Sequence, residues 1–171
     1  MRKPRVHITY DVETNGAVAE KDIPFVMGVM GDYSGDNADG KKALKDRKFS
    51  TIDRDNINDL ISTSGFGSEI GILSIDIDGN DYWVWQAIDC VQPRILILEY
   101  NALFGPDAAI SVPYDASFVR SRAHYSNLFW GASLEALTRL SKQKGYALVG
   151  CNSAGNNAFY IRHDVLGAHR G

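Results

Sequence analysis

Cysteine is scarce in this chain: Cys90 and Cys151 are the only two among 171 residues. Two thiols without a CxxC spacing exclude a disulfide framework and a structural zinc site, so both are expected as buried free thiols. Long apolar runs are missing too. Nothing approaches the roughly 18 residues of a spanning helix, and Met1-Arg2-Lys3-Pro4-Arg5 is not followed by the apolar core of a signal peptide, which places the chain in the cytoplasm, away from membranes. Charge of one sign is not in excess. The net charge is −3, and the basic cluster Lys41, Lys42, Lys45, Arg47 and Lys48 is interleaved with Asp36, Asp39 and Asp46, so a nucleic-acid surface is excluded. No GxGxxG loop joins a strand to a helix, and no acid follows one at about 20 residues; a complete dinucleotide or adenosyl-cofactor site is therefore not encoded. What remains is ordinary for a globular protein, 44% hydrophobic and 23% charged, enough for roughly one domain or two small ones.

The chain opens on an alternation, Val6, Ile8, Tyr10 and Val12 against His7, Thr9, Asp11 and Glu13, which predicts a half-buried strand. Asn15-Gly16 predicts a tight hairpin returning through Ala17 to Lys21. Pro24 precedes the apolar run Phe25 to Met30, read as a buried strand, and Gly31 to Asp46 reads as a surface loop. A short strand is expected over 49–53 and a helix carrying Ile57, Leu60 and Ile61, capped by Asp55 or Asn56. Beyond the Ser62 to Gly67 break, strand 70–77, a helix from Asn80 or Asp81 through Ile88 and strand 94–100 form a βαβ unit, which requires a parallel pair covered by a helix. Residues 102–132 are a long connection. Ser133 is the expected N-cap of a helix with Leu134, Leu137 and Leu140 inward, closed by Gly145; strands 146–151 and 158–162 then form a hairpin across Asn152 to Asn157.

The densest carboxylate cluster is Asp76-x-Asp78-Gly79-Asn80-Asp81. It fails as a calcium loop, because Gly at the sixth position and Glu at the twelfth are replaced by Asp81 and Ala87. Two readings stay open: Asp78 or Asn80 caps the following helix while Gly79 turns the chain, or the cluster is a ligand site, with Asp76 and Asp78 able to hold a divalent metal. Position supports the second, since ligands in open α/β sheets sit beyond the carboxyl ends of the strands, where Asp78, Asn80, Glu99 and Asn101 fall. The candidate catalytic residues are Asp76, Asp78, Glu99 and His124, the last as a general base or an ordinary hydrogen-bonded loop histidine. Asn80 and Asn101 are candidate substrate-binding residues. Trp83 and Trp85, two apart on a helix, point to different faces, one into the core and the other under the long loop.

Two resemblances meet near residue 56. Pro4-Arg5-Val6-His7-Ile8-Thr9-Tyr10-Asp11-Val12-Glu13, the stretch Asp22 to Gly35, Asp46-Arg47-Lys48-Phe49 and Ile52-Asp53-Arg54-Asp55-Asn56 resemble the N-terminal half of the small subunit of the type VI secretion contractile sheath. This implies a cytoplasmic structural protein that pairs with a large sheath subunit and self-assembles by strand addition into a tube. Residues 56–166, through Gly71 to Trp85, Glu99-Tyr100-Asn101, Val112-Pro113-Tyr114-Asp115, His124-Tyr125-Ser126, Gly131 to Leu134 and Lys144 to Asn157, look like the C-terminal part of a family related to FkbM-type methyltransferases. That resemblance implies the second half of a Rossmann-like sheet with Asp76 and Asp78 near the substrate side, but the strands with the Gly-rich loop and ribose-binding acid are missing.

The expected architecture is thus α/β, an N-terminal β-hairpin module over residues 1–58 joined to a partial Rossmann-like βαβ sheet with a C-terminal hairpin over 59–171. The first functional expectation is a non-enzymatic sheath component that needs no cofactor and binds neither nucleic acid nor membrane. The alternatives are an S-adenosylmethionine-dependent methyltransferase-like enzyme and a chimeric chain without evolved activity.

Overall fold

The computed structural model describes residues 8–14, 17–23, 43–46, 48 and 50–167. The chain divides into two units, Met1–Phe49 and Ser50–Gly171, each treated by itself.

In the first unit, β1 (Ile8–Thr14) pairs antiparallel with β2 (Ala17–Ile23), from Ile8 opposite Ile23 to Thr14 opposite Ala17. That register leaves two residues for the connection, the loop length for which Asn-Gly is best suited. Asn15 and Gly16, like the expected strand over Phe25 to Met30 and most of the Gly31 to Asp46 loop, lie outside the described residues.

The second unit contains α1 (Ile57–Thr63), β3 (Glu69–Ile75), α2 (Asp81–Ala87), β4 (Gln92–Glu99), α3 (Arg120–Ala123), α4 (Leu134–Gln143), β5 (Tyr146–Cys151), β6 (Asn157–Arg162) and α5 (His163–Gly167). Its four strands make one mixed sheet in the order β3-β4-β6-β5. β3 and β4 are parallel, joined across α2, whereas β6 runs antiparallel to both β4 and β5. The expected βαβ unit and C-terminal hairpin are therefore present, within a mixed α/β sheet.

Register decides where the core sits. Leu73 pairs with Leu96 and Leu96 with Tyr160; Ile75 pairs with Leu98 and Leu98 with Ala158, so these residues share one face. Ile57 of α1, Val84 and Trp85 of α2 and Ala136, Leu137 and Leu140 of α4 join that face in one buried cluster. Leu96, Leu98 and Leu137 are fully buried, each contributing about 1.5–3 kcal/mol relative to exposure. On the opposite face Ile72, Ile95 and Ile161 align, as do Ile97 and Phe159. None of these five is fully buried, and Ile72 is 60% exposed.

Local chemistry accounts for the ends of the elements. Ser133 accepts at Oγ from Ala136 N at 3.1 Å, capping α4, and donates to Ala108 O. Gly145 ends the helix at φ +89°, a left-handed conformation that glycine reaches without steric cost. Trp85 is buried with Nε1 donating to Ser141, and Trp83 donates to Val112 O beneath the long connection. The two tryptophans thus separate as their spacing predicts.

Three expectations are corrected. Residues 50–53 form no strand; they make an Asx turn in which Asp53 Oδ1 accepts from the backbone N–H groups of Asp55 and Asn56. Asn56 occupies the N-cap of α1 without capping it, because its Oδ1 accepts from Asp53 N instead. Cys151 is exposed, and Cys90 is only partly buried where it packs against the core, so neither is a fully buried thiol.

Candidate functional site

The parallel ladder ends with Ile75 opposite Leu98. Asp76, the first residue after β3, and Glu99, the last of β4, therefore both lie at the carboxyl end of the parallel pair. From here the chain turns sharply into α2. Asp78 takes φ +60°, a region that Asp and Asn tolerate better than most residues. Gly79 does not use its own freedom to turn; it is required because a Cβ there would collide with the Phe118 ring.

The capping alternative is corrected by the same loop. Asn80 stands at the N-cap of α2 but makes no side-chain cap. Its Nδ2 instead donates to Asp115 O at 2.8 Å. Asp81, fully buried, binds the turn from within the helix: Oδ1 accepts from Ile77 N and Oδ2 from Gly79 N, both at 3.0 Å. Burial pushes the Asp81 carboxyl above its ordinary range while these backbone donors hold it down.

Glu99 is 7% exposed, and its Oε2 has no hydrogen-bond partner among the described residues. Burial first, then the charges of Asp76, Asp81 and Asp78, push its pKa up to about 8, with Arg120 opposing. Glu99 is thus chiefly a neutral carboxylic acid at pH 7, able to donate or accept a proton near neutrality.

The connection over 102–132 closes over this end of the sheet. Asn101 anchors it, with Nδ2 donating to Leu128 O at 2.9 Å and to Trp130 O at 3.0 Å and Oδ1 accepting from Leu103 N. Arg120 donates from Nη1 to Asp78 at 2.8 Å and from Nε to Asn127 O, and its guanidinium lies 4.2 Å from the Trp130 ring centroid. Asp78, Phe118, Arg120 and Asn127, with Ile77, Val119 and Ser121, line a cavity of about 470 Å³. Asn127 shares with Asp78 a positive φ, +58°; these two non-glycine positions both border the cavity.

Among the sequence-derived candidates, Asp76, Asp78, Asn80, Glu99 and Asn101 are thus gathered at one end of the sheet. His124 is exposed, with Ser126 Oγ at 2.7 Å from Nδ1 and the Tyr125 ring beside it. Among the described residues no group of three or more His, Cys, Asp or Glu is placed to hold a metal ion. Sequence reasoning placed Asp81 in the acidic cluster without assigning it a role, and missed Arg120, Asn127 and Trp130. Arg120 carried a faint signal, a cation in the long loop; Asn127 and Trp130 are recognisable only from their contacts.

No helix among the described residues is long and apolar enough to cross a membrane. No solved structure matches the chain. One curated relative is the "Type VI secretion system sheath protein TssB1" of Pseudomonas aeruginosa, 53% identical over 57 residues, a stretch that covers 33% of this chain and 33% of the relative. The chain thus spans about a third of the length of that relative. A family model described as "Type VI secretion system, VipA, VC_A0107 or Hcp2" matches residues 1–72. That segment, which runs through β1, β2 and α1 into β3, is therefore similar to the VipA/TssB family of sheath small subunits.

Proposed function

We propose that the chain is a component of a type VI secretion contractile sheath, pairing with a large sheath subunit and self-assembling in the cytoplasm through the strands of its N-terminal segment. The observation that carries this reading is the 53% identity over 57 residues to a sheath protein. The β1–β2 hairpin supports it. Among the described residues it forms a two-stranded sheet separate from the four-stranded one, and a two-stranded ribbon has an unpaired edge on each side for strand addition. The sheath role requires neither cofactor nor nucleic acid. Co-expression of the full chain with a large sheath subunit tests it: the two proteins are expected to co-purify, and the failure of any complex to form would end the reading.

A second reading rests on Glu99. A neutral buried carboxyl beside Asp76, Asp78 and Asn80 at the carboxyl end of a βαβ unit suits a methyltransferase-like active site on the second half of a Rossmann-like sheet. Asn101 lies at the same end. S-adenosylmethionine titrated into the protein decides it, because the absence of heat at millimolar ligand would remove this reading and leave a chain whose C-terminal part has no activity of its own.

A further inference from the structure

We infer that the cavity over the Asp78–Arg120 ion pair binds a small neutral ring rich in hydroxyl groups, the chemistry of a free sugar or cyclitol. Its volume of about 470 Å³ lies in the range of small-molecule sites. Two chain segments build its wall. Ile77 and Asp78 come from the turn after β3, and Phe118, Val119, Arg120, Ser121 and Asn127 from the long connection. Both segments are pinned. Asp78, at φ +60°, sits between Ile77 and Gly79, whose N–H groups donate to Asp81. Asn127, at φ +58°, donates its own N–H to His124 O and accepts at O from Arg120 Nε. Residues other than glycine stay in the left-handed region only where their surroundings hold them there, and such positions concentrate at ligand sites.

The chemistry of the wall selects the guest. Arg120 donates to Asp78 at 2.8 Å, so the two charges on the wall cancel. An anion would have to take Arg120 from Asp78, and a cation would have to take Asp78 from Arg120. Either exchange replaces one ion pair by another at a partly exposed position, where such pairs contribute little. A hydroxyl needs no exchange. Of the five N–H donors of a guanidinium, Arg120 spends two on Asp78 and Asn127 O, while an ionised carboxylate offers about four lone-pair positions, of which this bond to Asp78 takes one. Neighbouring hydroxyls, each both donor and acceptor, can therefore make charge-assisted hydrogen bonds to the two ions without parting them. Ser121 adds a hydroxyl of its own to the wall. The rest is apolar. Ile77, Phe118 and Val119 offer carbon surface to the C–H groups of such a ring, and Phe118 is seated against Gly79, where a Cβ would collide with it. This inference stands apart from both readings above, because the sheath assignment rests on residues 1–72 and the methyltransferase-like one on Glu99, which is not part of this wall.

Saturation-transfer NMR titrations on the full chain, without any cofactor, test it. The neutral probes are myo-inositol and the methyl glycosides of glucose, galactose and mannose; glucuronate and glucosamine present the same kind of ring with a negative and a positive charge. At least one neutral probe is expected to bind about tenfold or more tightly than both charged rings. Asp78→Asn keeps the shape of the side chain and tolerates the positive φ, but leaves Arg120 without its counter-ion. This variant should weaken the neutral probe about tenfold and turn the preference toward glucuronate. Its thermal midpoint, compared with that of the wild type, shows that the fold is retained, and Ser121→Ala should weaken the neutral probe without creating any preference for glucuronate. Silence of all four neutral probes at tens of millimolar would overturn the inference. So would equal binding of either charged ring, or neutral binding that neither variant changes, which would put the site elsewhere on the protein.

Discussion

Arg120 holds Asp78 in a 2.8 Å ion pair while stacking on Trp130, so one side chain joins the turn after β3 to the loop that covers it. The pair itself is partly exposed, at 33% and 67%, and such pairs stabilise by at most about 1 kcal/mol. Arg120 also acts on Glu99, as the one cation that opposes the rise in its pKa. Arg120→Met is expected to cost only about 1 kcal/mol in chemical denaturation. The Glu99 carboxyl, followed by NMR, should titrate above its wild-type midpoint; an unchanged midpoint would contradict the placement of Arg120.

Stability should depend on pH through Glu99. Its pKa rises from 4.5 to about 8 on folding, so the native state binds the proton more tightly than the unfolded chain. The resulting stabilisation is complete below about 4.5 and is lost as pH rises through about 8, with a slope of at most about 1.4 kcal/mol per pH unit between them. Glu99→Gln should flatten this part of the profile and exceed the wild type in stability above about pH 8. Denaturant midpoints across the range provide the measurement, and an identical slope in the variant would refute the assignment.

Asp81 organises the turn that carries Asp78 and Asn80. Asp81→Ala would leave the Ile77 and Gly79 N–H groups without their acceptors. A loss of about 2–6 kcal/mol is expected, the sum of two unsatisfied donors, together with faster hydrogen exchange at those two amides. Asp81→Asn should cost less, because its remaining oxygen still accepts from one of them.

The one-sided core makes adjacent residues of β4 unequal. Leu98 is fully buried against the helices, and Ile97 is half-buried on the opposite face. Leu98→Ala should cost about 2–5 kcal/mol, as expected for a filled core, and Ile97→Ala markedly less. Comparable losses in thermal unfolding would show that the second face is covered as well.

Much of the Ser50–Gly171 unit was legible because its signals are local. Apolar runs of strand length, a capping serine at 133 and the turn-forming stretch Asn152 to Asn157 each act within a few residues, so the βαβ unit, α4 and the final hairpin emerge near their expected positions. The failures at 50–53 and Asn56 share one cause: an Asx turn and a cap compete for the same polar side chains, and only the distances show which wins. The site was half legible. Asp76, Asp78, Asn80, Glu99 and Asn101 follow from the rule that strand ends carry function, whereas Arg120, Asn127 and Trp130 come from a connection with no periodicity to read.

The sequence by itself determined the class of the chain, the likeness of its first third to a sheath protein and the grouping of acids at two strand ends. These depend on composition, identity and short spacings, all properties of neighbours along the chain. Tertiary structure alone decided that Asp81 rather than Asn80 secures the turn, that Glu99 is buried without a partner for Oε2, and that Arg120 crosses from a segment 42 residues away to meet Asp78. Protonation and pairing depend on burial and on charges brought together by folding, and neither is a property of a residue in its local sequence.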